Sequence, residues 1–276
     1  MTEFLAALSA HAFLQHALAA GLLASVGCGV VGTYVVVKRI AFLAGGIAHA
    51  VLGGMGIAYY LGADPLWGAL AAALATALVV GWVSLRWREH EDTLVGALWA
   101  VGMAVGILFL SRTPGYGVDL MSYLFGNILM VTREDLYLMA AIDAGILVLV
   151  AVFYKPFLAV CFDDEFARLR GVRVEIVYLL LLAVVAVTVV LLIRVVGLIL
   201  VIALLTLPAA IAAQYVGSLG RIMILATALG AVFTSGGLAL SYEPDLPSGA
   251  TIIVLAGLAY LASTLVQGAR RRLARR

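Results

Sequence analysis

The sequence predicts an all-α, polytopic membrane protein of about nine transmembrane helices. Three observations carry that prediction. Of 276 residues, 65% are hydrophobic and only 12% charged, whereas a soluble domain is about half apolar and a quarter charged. Leu/Ala-rich runs of about 20 residues, the length that crosses a bilayer as a helix, recur along the chain without the alternation of barrel strands. The positive charges also segregate when nine crossings are drawn from an external N-terminus. Lys38, Arg39, Arg86, Arg88, Lys155, Arg168, Arg170, Arg173, Arg221 and the arginines of the C-terminal tail then share one side. Only Arg112, Arg133 and Arg194 fall on the other. Such a bias marks the cytoplasmic face and sets the expected topology as N-terminus outside, C-terminus cytoplasmic.

The segments follow in order. Phe13–Val37 is stopped by Lys38 and Arg39, and Ile40–Leu61 by the turn signal Gly62-Ala-Asp-Pro65. Leu66–Leu85 precedes the polar run 86–92, and Thr93–Leu110 precedes Ser111–Gly117. Asp119–Thr132 is apolar but too short to span, so a re-entrant or interfacial helix is expected there. Leu136–Tyr154 is the fifth span and contains Asp143. Ile176–Gln214, about 39 residues, fits two spans turning at Arg194-Val-Val-Gly197, with Pro208 kinking the second. Ile222–Leu240 and Ala250–Val266 complete the set. One transmembrane domain over residues 1–276 is expected. No basic region precedes the first apolar run, so no cleaved signal peptide is expected.

Several chemistries are excluded. The chain has two lysines, in Val37-Lys38-Arg39 and Tyr154-Lys155-Pro156, and neither ends a Walker A loop. No histidine pair has zinc-ligand spacing and there is no C-x-x-C. No nucleophile elbow or dinucleotide loop occurs in an αβ context. Cys28 and Cys161 lie at different depths and do not suit a disulfide. The chain is therefore not expected to be an enzyme; transport or channel activity is the default. No permanent cofactor and no nucleic-acid partner is expected. The tail arginines read as an anchor on anionic lipid headgroups.

Phe42–Gly56 holds the strongest site candidate. His49 is the one ionisable residue in this glycine-rich run and falls near the bilayer midplane, where ionisable groups mark functional sites. An imidazole suits a borderline divalent cation such as zinc, manganese or iron; the alternative is a histidine held in packing. Gly45, Gly46, Gly53, Gly54 and Gly56 either permit close helix contact or leave room for a path. Cys28, Met55 and Met103 are weaker soft-ligand candidates, with apolar filling as the alternative. Arg194 is expected to snorkel at the outer turn, and Asp143 to pair across helices or face a wet cavity. His11 and His16 stand near the outer end of the first span, as entrance ligands or as interface residues. Gly102-x-x-x-Gly106 is a close-packing motif that serves either the chain's own fold or a dimer. Asp163–Gly171 reads as a short cytoplasmic helix with acids at its start, arginines in its last turn and Gly171 at its end. Phe166 and Leu169 share one face of it, free for a partner or simply solvated.

Taken together, Phe42–Gly56, Tyr123–Gly126, Asp163–Gly171, Val196–Ala210 and Ser241–Ala250 resemble, in that order, the permease subunits of the metal-type (ABC-3) ATP-binding-cassette importers. The resemblance implies an importer of divalent metal, zinc first and manganese or iron as alternatives, in the plasma membrane of a prokaryote. It implies a permease homodimer, separate ATPase subunits and an extracytoplasmic metal-binding protein. It implies that His49 lines the translocation path, and that Asp163, Asp164, Glu165, Phe166, Ala167, Leu169 and Gly171 form the ATPase-coupling helix. Many family members carry Asp four residues before the histidine, where this chain has Gly45. A stand-alone, gradient-driven transporter or channel using Asp143 and His49 as a proton relay is the alternative. An importer of vitamins or siderophores fits less well, because these spans offer few polar groups.

Overall fold

Several helices begin where the sequence supplies a stop or a cap. The computed structural model describes residues 2–86, 91–113, 126 and 128–273 of the protein. Its helices are α1 (Thr2–Ala10), α2 (Ala12–Val37), α3 (Ala41–Tyr60), α4 (Pro65–Arg86), α5 (Glu91–Ser111), α6 (Arg133–Val152), α7 (Tyr154–Phe162), α8 (Asp164–Leu169), α9 (Val174–Val196), α10 (Leu198–Tyr215), α11 (Leu219–Tyr242) and α12 (Ser248–Leu273). Among the described residues, nine helices are long and apolar enough to cross a membrane: α2 to α6 and α9 to α12. They coincide with the nine runs read from the sequence, to within a few residues except at the lengthened C-terminal end of α12.

The stops are physical. Asp64 accepts from the Leu66 amide at 2.8 Å, and Pro65 occupies the first helical position of α4, where its missing N–H costs nothing. Thr132 and Asp135 cap α6 reciprocally: the Asp135 amide donates to the Thr132 hydroxyl at 3.2 Å and the Thr132 amide to the carboxylate at 3.1 Å. The long apolar run breaks at Gly197, whose φ of +80° suits glycine. Pro208 sits inside α10.

Two helices were not expected from the sequence. α7 follows directly on α6, because Pro156 stands in its first turn, where proline is tolerated. α1 precedes the first span and is joined to α2 through His11, with the Gln15 side chain donating to the Leu8 carbonyl at 3.0 Å. Of the expected re-entrant segment Asp119–Thr132, residues 119–125 and 127 lie outside the described residues, as does most of Tyr123–Gly126; the described part holds one 3-10 turn, Ile128–Met130. The Arg194 side chain also lies outside the description.

The chain divides into two compact units. The first comprises Met1–Val36, Leu124–Leu147 and Val195–Arg276. Within it, small residues bring helices into backbone contact. A methyl group on Gly29 would stand 2.6 Å from the Thr227 amide nitrogen, and one on Gly237 would stand 2.8 Å from Ile252 Cα. Ser263 donates to the Gln214 side-chain oxygen at 2.7 Å, tying α12 to α10. The second unit comprises Val37–Tyr123 and Val148–Arg194. It contains α3, with α4 and α5 packed against it, and the α7–α8 segment.

Candidate functional site

α3 is glycine-rich because two helices lie against it at backbone distance. A methyl group on Gly53 would stand 2.8 Å from the Gly102 carbonyl oxygen of α5. One on Gly56 would stand 2.5 Å from the Gly106 carbonyl oxygen, and one on Gly102 2.7 Å from Ala50 Cα. Gly54 of α3 and Gly68 of α4 abut each other's carbonyl groups, and Gly46 meets the Val95 side chain. Gly102-x-x-x-Gly106 is thus spent on packing within the chain. Gly45 behaves differently. It is buried, yet among the described residues a Cβ there would meet no atom within 4 Å.

His49 lies one turn after Gly45 on the same face and is 9% exposed. Its Nδ1 donates to the Gly45 carbonyl oxygen at 2.7 Å. A carbonyl oxygen only accepts, so Nδ1 carries the proton and the lone pair of the neutral ring rests on Nε2. The imidazole stacks on the Trp99 indole of α5, with ring centroids 3.8 Å apart and planes at 24°. Trp99 Nε1 in turn donates to the Met103 thioether at 3.2 Å. The ring is therefore fixed on one nitrogen and one face, and the Nε2 lone pair is not used in that hydrogen bond.

The structure thus links His49 to Met103 through Trp99. Trp99 was not among the sequence candidates. Its signals were a tryptophan inside a span rather than at an interface, and its position one turn before Met103. Met55 is half-buried, on the helix that carries His49. Cys28 is buried in the other unit, as a free thiol. Among the described residues, no three His, Cys, Asp or Glu side chains cluster as a metal-binding group. Asp143 is 4% exposed, and among the described residues neither carboxylate oxygen has a hydrogen-bond partner, so of the two expectations, a pair across helices or a wet cavity, the pair is not seen there.

The cytoplasmic-type segment folds as its sequence indicates. The Asp163 side chain caps α8, accepting from the Glu165 and Phe166 amides at 3.0 and 2.9 Å. Acidic Asp164 and Glu165 occupy the first turn, favoured by the helix dipole. The C-terminus closes as a Schellman motif: Gly171, at φ +77°, donates to the Arg168 carbonyl, and Val172 to that of Ala167. Ala167 is fully buried, whereas Phe166 and Leu169 are 49% and 87% exposed. An apolar edge is therefore presented outward. At the end of α7, burial pushes the Cys161 thiol up to about 12, against a smaller opposing pull from Lys38 and with a push from Asp164.

The sequence profile of the ABC 3 transport family matches residues 10–267, almost the whole chain. The chain belongs to that family. Within it, this protein is the membrane permease and not the ATPase of a metal-type transporter. An uncharacterized membrane protein of Synechocystis sp. is 50% identical over 251 residues, covering 91% of this chain and 89% of its own length. The manganese transport system membrane protein MntC of Halalkalibacterium halodurans is 35% identical over 256 residues, covering 93% of this chain and 88% of its own. The solved structure of PsaBC from Streptococcus pneumoniae in complex with Fab matches with a TM-score of 0.85 at 30% identity, covering 95% of this chain and 94% of that one.

Proposed function

We propose that this permease forms the translocation path of an ATP-driven importer of divalent metal ions, and that His49 lines the path. The observation that carries this reading is the locked imidazole. Nδ1 is spent on the Gly45 carbonyl, the ring rests on Trp99, and Nε2 is left to bind. A Cβ at Gly45, on the same helix face, would meet no described atom within 4 Å, which leaves room beside the ring.

Manganese is the cargo this reading prefers. One imidazole and one thioether, without a thiolate, do not make the sulfur- and nitrogen-rich set that selects zinc. Manganese accepts oxygen and water ligands, and the relative MntC is named for manganese transport. The zinc preference drawn from the resemblance gains no support from that relative.

The charge bias places the N-terminus outside and the C-terminus with the Arg-rich loops in the cytoplasm of a bacterium. α8 then lies on the cytoplasmic side, where Phe166 and Leu169 meet a separate ATPase subunit. Two permeases form the pore, and an extracytoplasmic protein delivers the ion. Transport proceeds by alternating access, with helix movements exposing the His49 region to each side in turn.

The test is manganese uptake by cells whose only copy carries His49→Ala. Uptake at limiting metal falls at least tenfold while the permease remains in the membrane at its normal level. Wild-type uptake would remove His49 from the path. Proteoliposomes in which an ion gradient alone drives uptake, without any ATPase subunit, would overturn the ATP-driven reading.

A further inference from the structure

α8 has few apolar contacts to hold it in place. It is six residues long, and the one side chain it buries is the methyl group of Ala167. Its other ion pair, Arg168–Glu175 at 2.8 Å, is more than half exposed on both sides and so holds it weakly. Beside it opens a cleft of about 580 Å³ lined by Lys38, Arg39, Ser84, Cys161, Asp164 and Tyr178 among others, so close packing does not fix this side of the helix.

One ammonium group crosses that gap. Lys38 Nζ donates to Asp164 Oδ1 at 2.8 Å and to the Val160 carbonyl oxygen at 2.5 Å. It also lies 5.8 Å from the centroid of the Tyr178 ring of α9. The Lys38 and Asp164 side chains are only 18% and 24% exposed, so water screens the pair far less than a surface pair. One side chain thus joins α7, the first turn of α8 and α9.

Lys38 is also close in sequence to the His49 helix. Arg39 and Ile40 are all that separate it from α3. Arg39 holds φ +63°, a left-handed conformation that a non-glycine residue keeps only when its surroundings impose it. Ile40 is buried. The turn from Lys38 into α3 is therefore a fixed corner rather than a slack link. His49 lies eight residues beyond Ala41, roughly 12 Å along the axis at the helical rise.

We propose that Lys38 is a positioning residue: through Asp164 and the Val160 carbonyl it seats the ATPase-docking helix on the corner that starts α3, so that displacement of α8 is passed to the helix carrying His49. This rests on the reading of Asp163–Gly171 as the ATPase-docking segment. The exposed apolar edge of Phe166 and Leu169 would make the docking contact, and Lys38 would convey its movement.

The test uses the whole transporter, permease with its ATPase subunit, in proteoliposomes with manganese. Three quantities are read for each variant: ATPase subunit retained on purification, ATP hydrolysed, and manganese imported per ATP. Lys38→Met is expected to retain the ATPase subunit and hydrolyse ATP, while manganese imported per ATP falls at least tenfold. Asp164→Asn, which still accepts a hydrogen bond, gives a smaller loss. The exchange Lys38→Asp with Asp164→Lys re-forms the ion pair but not the bond to the Val160 carbonyl, and is expected to import more manganese per ATP than Lys38→Met but less than wild type. Unchanged import per ATP in Lys38→Met would overturn the proposal, as would an exchange that imports no more per ATP than Lys38→Met in a folded, ATPase-bound complex. Failure of the docking reading looks different: the permease carrying Phe166→Asp and Leu169→Asp together would keep its ATPase subunit as fully as wild type does.

Discussion

Two parts of α3 use glycine for opposite ends. Toward its C-terminal half, Gly53, Gly54 and Gly56 are met by the backbones of α4 and α5, and their missing side chains are the reason these helices touch. Earlier on the helix, a Cβ at Gly45 would meet no described atom within 4 Å, though Gly45 is shielded from solvent and its neighbour Gly46 meets the Val95 side chain. The later stretch is a joint, and the Gly45 position borders a space. The histidine belongs to the second. Glycine content alone therefore does not distinguish packing from a path; the atoms opposite each Cβ position do.

The joint should break first. Gly54→Val sets a branched side chain against the Gly68 carbonyl, which belongs to helix backbone and cannot swing aside. Overpacking of this kind costs about 3 kcal/mol, a large share of a marginal stability. The expected result is loss of monodisperse protein on size exclusion in detergent, or a sharply lower melting midpoint. Wild-type elution and melting would show that α3 and α4 can separate there without cost.

The space should be more forgiving than the aromatic wall beside it. Trp99→Ala removes the stacked face of His49 and the donor to Met103. Aromatic pairs contribute about 0.5–1.5 kcal/mol beyond area burial, which predicts a two- to tenfold rise in the manganese concentration for half-maximal uptake. Trp99→Phe keeps a ring and recovers most of it. Equal uptake by wild type and Trp99→Ala, with both folded, would mean that the Gly45 carbonyl alone orients the imidazole.

Much of this arrangement was legible in the sequence. Period, length and charge gave the nine spans, because the bilayer demands those lengths and that bias. Local chemistry gave the break at Gly197 and both ends of α8, since caps and left-handed glycines are short-range effects. The partners of His49 were not legible. Trp99 lies 50 residues away on another helix, and nothing in a single sequence encodes which face of α5 meets α3. Lys38 and Asp164, separated by 126 positions, stayed hidden for the same reason. α7 was missed because the fifth span was read to Tyr154 and residues 155–162 were assigned no element, although Pro156 fits the first turn of a helix.

The smallest effect belongs to Gly45 itself, and it tests the contrast most directly. Glycine inside a helix costs about 0.5–1 kcal/mol relative to alanine, and a methyl group at Gly45 would meet no described atom within 4 Å. Gly45→Ala should therefore leave folding intact and raise the melting midpoint slightly, the reverse of Gly54→Val on the same helix. The same room admits Gly45→Asp, which sets a carboxylate one turn before His49. That variant should fold as wild type and take up manganese with a lower half-saturating concentration, because a carboxylate supplies the hard oxygen ligand this cation prefers. If Gly45→Ala destabilised the protein as much as Gly54→Val, the space beside His49 would have to be filled by a neighbouring group, and the division of α3 into a joint and a path would fail.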